Sequence, residues 1–224
     1  MTHEYLSVNA LFDLSHTIAS SVFDGCEYPW EALSKISDAI IALGQTLSAE
    51  EYDSPSENVW IAKSAKVAPT AYIGAPCIIC ANAEVRHCAF IRGSAIVGEG
   101  AVVGNSTELK NVILFDKVQV PHYNYVGDSV LGYKAHMGAG SITSNVKSDK
   151  KLVSIHTPDG DVETGRKKVG AMIGDNVEVG CGSVLNPGTV IGRDARVYPL
   201  SSVRGFIPEK HIYKKRGEPA QIEE

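Results

Sequence analysis

The sequence predicts a mainly β chain: a parallel β-helix wound from six-residue repeats, led by an α-helical segment. Three observations predict it. Steps of six from Ile61 meet Val67, Ile73, Ile79, Val85, Ile91, Val97 and Val103, all aliphatic. A second run from Ile173 meets Val179, Leu185, Ile191, Val197 and Val203. The residue after the aliphatic position is often small, as at Gly74, Gly98, Gly104, Gly174, Gly180 and Gly192. A strict period of six fits neither a 3.6-residue helix nor a period-two strand. It fits a short strand and a tight turn, repeated. Three such units close a triangular coil of roughly 18 residues, and stacked coils lay down three parallel sheets. Inward β-branched side chains suit strands, and glycine tolerates the unusual backbone angles of a corner. A β-sandwich with coincidental spacing is the competing fold; the unbroken first run weighs against it.

Residues 1–55 read as a helical segment and linker. Leu11, Leu14, Ile18 and Val22 follow helical spacing. So do Trp30, Leu33, Ile36, Ile40 and Leu43, opened by Pro29 and closed by Gly44. Two amphipathic helices are expected, placed to cap the open end of the prism or to serve assembly. Ser48 to Glu57 is polar, contains Pro55, and reads as the linker. Residues 56–206 form the β-helix. Between its two runs, Val126-Gly127, Leu131-Gly132 and Met137-Gly138 keep the pattern with one shortened step. The inserted loop 143–170 lacks the repeat and carries Lys147, Lys150, Lys151, Arg166, Lys167 and Lys168. It reads either as a solvated excursion or as a cationic flap over a phosphorylated ligand or the phosphates of CoA. Residues 207–224 mix charge with Pro219 and are expected to leave the prism as a loop or short arm.

Composition bounds the function. The chain has 224 residues, 44% hydrophobic and 21% charged, as in an ordinary globular protein with one core and a small appendage. Aromatics are only 7%, so aliphatic residues must fill the core. A net charge of −5 gives no electrostatic case for nucleic acid or an anionic membrane. No apolar run approaches the ~20 residues needed to span a bilayer. Met1 to Leu11 lacks the basic and apolar regions of a signal peptide. The five cysteines, Cys26, Cys77, Cys80, Cys88 and Cys181, read as cytosolic thiols, and a cytoplasmic protein is expected. Cys77 and Cys80 form a C-x-x-C, which can mean zinc or redox chemistry. No second pair follows and both fall inside the repeat, so packing is expected and no metal.

From Pro121 the chain runs Pro-His-Tyr-Asn-Tyr-Val-Gly-Asp-Ser-Val-Leu-Gly, and from Met137 it runs Met-Gly-Ala-Gly-Ser-Ile-Thr-Ser-Asn. This resembles the acetyltransferase domain of bifunctional sugar-1-phosphate nucleotidylyltransferase/acetyltransferases, which make N-acetylglucosamine 1-phosphate and its UDP conjugate. The resemblance covers roughly residues 56–216 and looks nearest the archaeal branch and short bacterial proteins related to UDP-N-acetylglucosamine pyrophosphorylases. It implies a left-handed coil, against the usual right-handed crossover, and a homotrimer with acetyl-CoA between neighbouring subunits. By it, His122 falls on the catalytic histidine and Tyr125 on an active-site tyrosine. Asn145 matches a substrate-site asparagine and Lys151 a loop lysine. Gly180, Cys181, Pro199, Lys215 and Arg216 fall in the acetyl-CoA region; Cys181, where a serine is common, lines the pantetheine slot or packs.

The chemistry suits these residue types. A sugar amine is mostly ammonium at neutral pH and must lose a proton before attacking a thioester, and histidine is the natural base. The tetrahedral oxyanion needs a donor, often a backbone N–H. An anomeric phosphate needs cations, which Lys151 with Arg166 or Lys167 can supply. Acetyl-CoA is the co-substrate, and no metal or covalent intermediate is required. Two departures matter. The Gly-x-Gly-x-Arg loop of the nucleotidylyltransferase half has no counterpart, so nucleotide transfer is not expected. His136 stands where an asparagine is usual near the substrate amine. That leaves the acceptor open between glucosamine 1-phosphate, galactosamine 1-phosphate and another amino sugar, and makes His136 a candidate second proton carrier. The rival classes are a non-catalytic repeat scaffold, an acyltransferase with a different acceptor, and a zinc hydratase. The hydratase needs three histidines, two of them about five residues apart, whereas His122 and His136 are 14 apart.

Overall fold

The computed structural model describes residues 3–215 and 218–221, with side chains described as far as Lys214. Short parallel strands stack into three ladders. The first face stacks Val59–Ala62, Cys77–Ile79, Ala95–Val97, the ends of Glu108–Leu114 and Tyr125–Leu131, then Ala171–Ile173, Thr189–Ile191 and Phe206–Ile207. The second stacks Lys66–Val67 through Gln119–His122 and His136–Met137 to His211–Lys215. The third stacks Tyr72–Ile73, Phe90–Ile91, the starts of the two long strands, Ile142–Thr143, Val184–Leu185 and Ser202–Val203. The chain is the mainly β hexapeptide solenoid that its repeat predicts. Ile79, Val85, Ile91, Val97 and Val103 are fully buried inside it.

The apparent loss of phase after Val103 has a simple cause. Leu109 to Leu114 and Val126 to Leu131 are each one residue short of a six-residue step, and all four side chains are fully buried. Both short steps fall at the corner from the third face to the first. There Asn111 (φ 51°) and Asp128 (φ 48°) take the left-handed conformation that asparagine and aspartate tolerate best among residues with a Cβ.

A second core lies outside the prism. The outward residues of the first face form one row in register: Trp60, Ile78, Ile96, Ile113, Val130, Met172, Val190 and Phe206. Outward positions of a solenoid are normally polar, yet Ile78, Ile96, Ile113, Val130, Met172 and Val190 are fully buried. The N-terminal segment covers them. It begins at the C-terminal coils, where Tyr5 packs on Phe206 with ring centroids 4.6 Å apart. Asp13 N–H then donates to Asp175 at 2.7 Å, His16 stacks on Tyr133, and Phe12 and Phe23 pack on Phe115. The segment ends with helix Ile36–Gly44 against the first-face strands of the early coils, Gly44 pressed on the Trp60 ring. Each isoleucine so buried contributes about 1.5–3 kcal/mol relative to exposure.

The structure therefore corrects the expectations for both ends of the chain and for the insertion. The N-terminal segment covers a face rather than the end of the prism, where Val67 stays exposed. Its first half is a string of short turns (Glu4–Leu6, Val8–Leu11, Leu14–His16 and Ser20–Phe23) rather than one helix, because extended Phe12 and Thr17 interrupt it. The expected linker holds an edge strand, Tyr52–Ser56, antiparallel to Val59–Ala62, with Pro55 where no ladder partner needs its N–H. The described part of the tail stays on the prism: His211–Lys215 extends the second face and pairs back with Glu218–Gln221. The insertion is also more ordered than a flap. Ser154–Thr157 and Gly160–Glu163 form a hairpin docked through fully buried Val153 and Ile155. Among the described residues no helix is long and apolar enough to cross a membrane.

Candidate active site

The edge between the third and first faces gathers most of the polar chemistry. Register places Arg92, Lys110 and Gly127 in one outward column, with Asp128 in the shortened corner beside it. Asp128 is buried and is the hub. Its carboxylate accepts from Lys110 Nζ at 3.2 Å, from Asn111 Nδ2 at 2.9 Å and from Asn145 Nδ2. Asn145 Nδ2 also donates to the Tyr125 hydroxyl at 3.3 Å. The Tyr125 ring lies across Gly127: a Cβ there would stand 2.5 Å from the hydroxyl. Burial raises the Tyr125 phenol above its ordinary range, with Asp128 and Glu108 adding to the rise, so it stays a neutral hydrogen-bond donor.

Two open cavities meet at Asp128. One of about 300 Å³ is lined by Arg92, Ser94, Lys110 and Asn111. The other, about 400 Å³, is lined by Gly165, Arg166, Lys167 and Lys168. Arg166 Nε is buried without a hydrogen-bond partner among the described residues, an uncompensated donor beside a cavity. Asn111 also donates to Leu33 O at 3.2 Å, so the N-terminal segment braces this edge.

The opposite edge of the third face, where it meets the second, carries the other set. His122 is exposed there and its ring bonds nothing among the described residues. Buried Asn124 holds the corner: its Oδ1 accepts from His122 N–H at 3.1 Å and its Nδ2 donates to Gly138 O at 2.9 Å. The ridge continues coil by coil, His122 O accepting from Gly140 N, Ala139 O from Gly182 N, and Cys181 O from Leu200 N. A Cβ on Gly180 would stand 2.4 Å from Pro199 N, so only glycine fits between the coils. Cys181 is exposed on this ridge.

The fold thus joins Tyr125, Asn145, Arg166 and Lys167 around Asp128, and aligns His122, Gly180, Cys181 and Pro199 on one ridge. Tyr125 starts on the third face between the two edges and turns its hydroxyl to the Asp128 side. It does not join His136, which lies on the second face with Nδ1 bonded to Glu178 at 2.7 Å. Nor does it join Lys151, whose exposed ammonium bonds none of the cluster. Arg216 and the side chain of Lys215 lie outside the described residues. Cys77 and Cys80 are buried thiols; burial pushes Cys77 far up and Cys80 to about 12, so both stay protonated packing groups. Sequence inspection missed Asp128, Lys110, Asn111 and Arg92. The usable signals were the two short steps, and two cations one 18-residue coil apart.

No family model matches the chain. It is 38% identical over 128 residues to the bifunctional protein GlmU of Methanococcus maripaludis, covering 57% of this chain and 31% of that one. It is 33% identical over 125 residues to a bifunctional sugar-1-phosphate nucleotidylyltransferase/acetyltransferase of Sulfurisphaera tokodaii, covering 56% and 31%. The matched stretch thus spans about a third of these relatives, and the resemblance carried by the His122 motif is borne out. A crystal structure of a hexapeptide transferase family protein from Anaplasma phagocytophilum superposes with a TM-score of 0.50, at 17% identity, over 74% of this chain and 80% of that one. It shares the fold.

Proposed function

We propose that the chain is an acetyl-CoA-dependent N-acetyltransferase acting on an amino sugar 1-phosphate, with glucosamine 1-phosphate or galactosamine 1-phosphate as acceptor. The observation that carries this is the third face itself. An unencumbered histidine stands at one edge, cations at the other, and Tyr125 lies between them. The acceptor lies on that face with its phosphate beside Arg92, Lys110, Arg166 and Lys167; its amine is on the carbon next to the anomeric one, so the His122 side chain reaches over the face to it. His122 takes the ammonium proton. The freed amine adds to the thioester carbonyl, a backbone N–H meets the oxyanion, the nitrogen releases its second proton to water, and the departing thiolate takes the proton held by His122. Acetyl-CoA runs along the ridge at Gly180, Cys181 and Pro199.

A single copy offers only one wall to the donor, so the working form is a homotrimer. The first face is closed by the N-terminal segment. The second and third faces and their ridge are free, with Tyr123 65% and Leu200 85% exposed. Such apolar side chains on one edge suit contact with a second copy. The setting is cytoplasmic, where acetyl-CoA is made and thiols stay reduced, and the product feeds UDP-N-acetylglucosamine synthesis.

The test is CoA-thiol release from acetyl-CoA with glucosamine 1-phosphate, galactosamine 1-phosphate, the free sugars and UDP-glucosamine, with mass determined by light scattering. Turnover with one phosphorylated sugar by a trimer is expected. Folded trimer that binds acetyl-CoA but turns over none of them would point to a different acceptor; failure to bind acetyl-CoA would leave a scaffold. A finer expectation concerns Gly127→Ala. The backbone there admits alanine, but the new methyl displaces the Tyr125 ring. Acceptor KM should rise roughly tenfold or more, with the melting temperature little changed. An unchanged KM would remove Tyr125 from the acceptor's contacts.

A further inference from the structure

The third-to-first edge continues past Asp128. Register carries the outward column from Lys110 and Gly127 through Ser144 and Asn186 to Arg204. Where the insertion leaves this edge, its loop and hairpin enclose a polar cavity of about 450 Å³ with Asn186 and Arg204 on the prism side and Lys147, Ser148 and His156 on the insertion side. We propose that this cavity is a phosphate-ester site, separate from the one at Asp128.

The guanidinium is held ready. Arg204 Nη2 donates to His156 Nε2 at 2.8 Å, and an arginine can only donate. His156 therefore carries its proton on Nδ1, which donates to Asp161 at 2.7 Å. This Asp161–His156–Arg204 chain fixes the arginine and leaves its remaining N–H groups without partners among the described residues. The hydroxyls of Ser144 and Ser148 are also uncommitted there. Lys147 adds an ammonium loosely paired with Asp149 at 3.6 Å, and the N–H of Lys151 holds the Asp149 carboxyl below its usual range, so it stays anionic. Arg204 and Lys147 against Asp149 leave the lining net positive, with a planar fork and hydroxyl donors converging, which matches a phosphate ester better than a neutral ligand.

Distance makes this a second site. Four coil spacings separate Lys110 from Arg204, about 19 Å along the edge. No monosaccharide phosphate reaches both. The occupant is a phosphate ester of another molecule: the phosphates of the acetyl donor, which rests on the proposed acetyl transfer, or a separate small phosphate compound.

Titration calorimetry on the full chain with CoA, 3′-dephospho-CoA and inorganic pyrophosphate separates these, for wild type, Arg204→Gln and Lys147→Gln. Lys147→Gln leaves the His156 strut intact and so guards against a loosened hairpin. If the donor occupies the cavity, both variants weaken CoA by roughly tenfold or more, while acceptor KM holds. If a separate phosphate compound does, both weaken pyrophosphate by a similar factor and leave CoA unchanged. Binding is read without turnover, so a chain that transfers no acetyl group but loses pyrophosphate affinity in the variants keeps this site and loses the proposed reaction. Equal affinity of all three proteins for each probe, or no binding of any probe, overturns the proposal.

Discussion

His122→Ala is expected to lower kcat roughly 10²–10⁴-fold, the usual worth of a positioned general base, while acetyl-CoA affinity and stability hold. The two halves of that expectation come from different observations. The ring is exposed and bonds nothing among the described residues, so its removal leaves no cavity and no orphaned partner; surface changes of that kind stay within about 0.5 kcal/mol. The backbone of His122, by contrast, is fixed through Asn124 and Gly140, so the corner keeps its shape in the variant. Steady-state kinetics with a urea titration measures both. If activity survives in the variant and falls instead in His136→Gln, the base is the carboxylate-oriented His136–Glu178 pair on the second face.

Phe115→Ala is expected to cost about 3–5 kcal/mol, a fall in melting temperature on the order of 10 °C. Phe115 is fully buried at the corner where the first face meets the second. Its ring takes Phe12 at 5.2 Å and Phe23 at 5.9 Å, so the N-terminal segment docks on it. Truncation should loosen that segment before the prism opens. Limited proteolysis should then cut before residue 47 under conditions that leave the wild type intact. A loss below about 1 kcal/mol, or proteolysis that strikes the prism and the segment together, would mean that the segment is not a separate layer on the first face.

The prism was legible because its rule is local. One aliphatic side chain every six residues points inward, and Ile79, Val85, Ile91 and Val97 obey without help from distant residues. The second layer was not read, although its signal is there: Ile78, Ile96, Ile113 and Val130 sit one residue before the inward position, where a solvated face would be polar. Helical spacing from Leu11 to Val22 misled because those residues pack on the rising coils one at a time; extended Phe12 and Thr17 serve that packing at the expense of continuous helix. The site divided in the same way. His122, Tyr125 and Asn145 were legible through their motif. Asp128 stood in the same motif and was passed over, because its role appears only when Lys110, Asn111 and Asn145, distant in sequence, converge on it. Arg92 and Lys110 belong to no motif; the 18-residue coil alone makes them neighbours.

The central claim is that the third face holds a phosphorylated amine between the Asp128 cations and His122. It is tested most directly by comparing kcat/KM for the amino sugar 1-phosphate that the chain turns over with kcat/KM for the same sugar lacking its phosphate. The phosphorylated sugar should be favoured by roughly 10²-fold or more, as two or more charge-assisted hydrogen bonds imply. Most of that preference should vanish in Lys110→Ala. Equal kcat/KM for the two sugars would contradict the account, and so would a preference that Lys110→Ala leaves untouched.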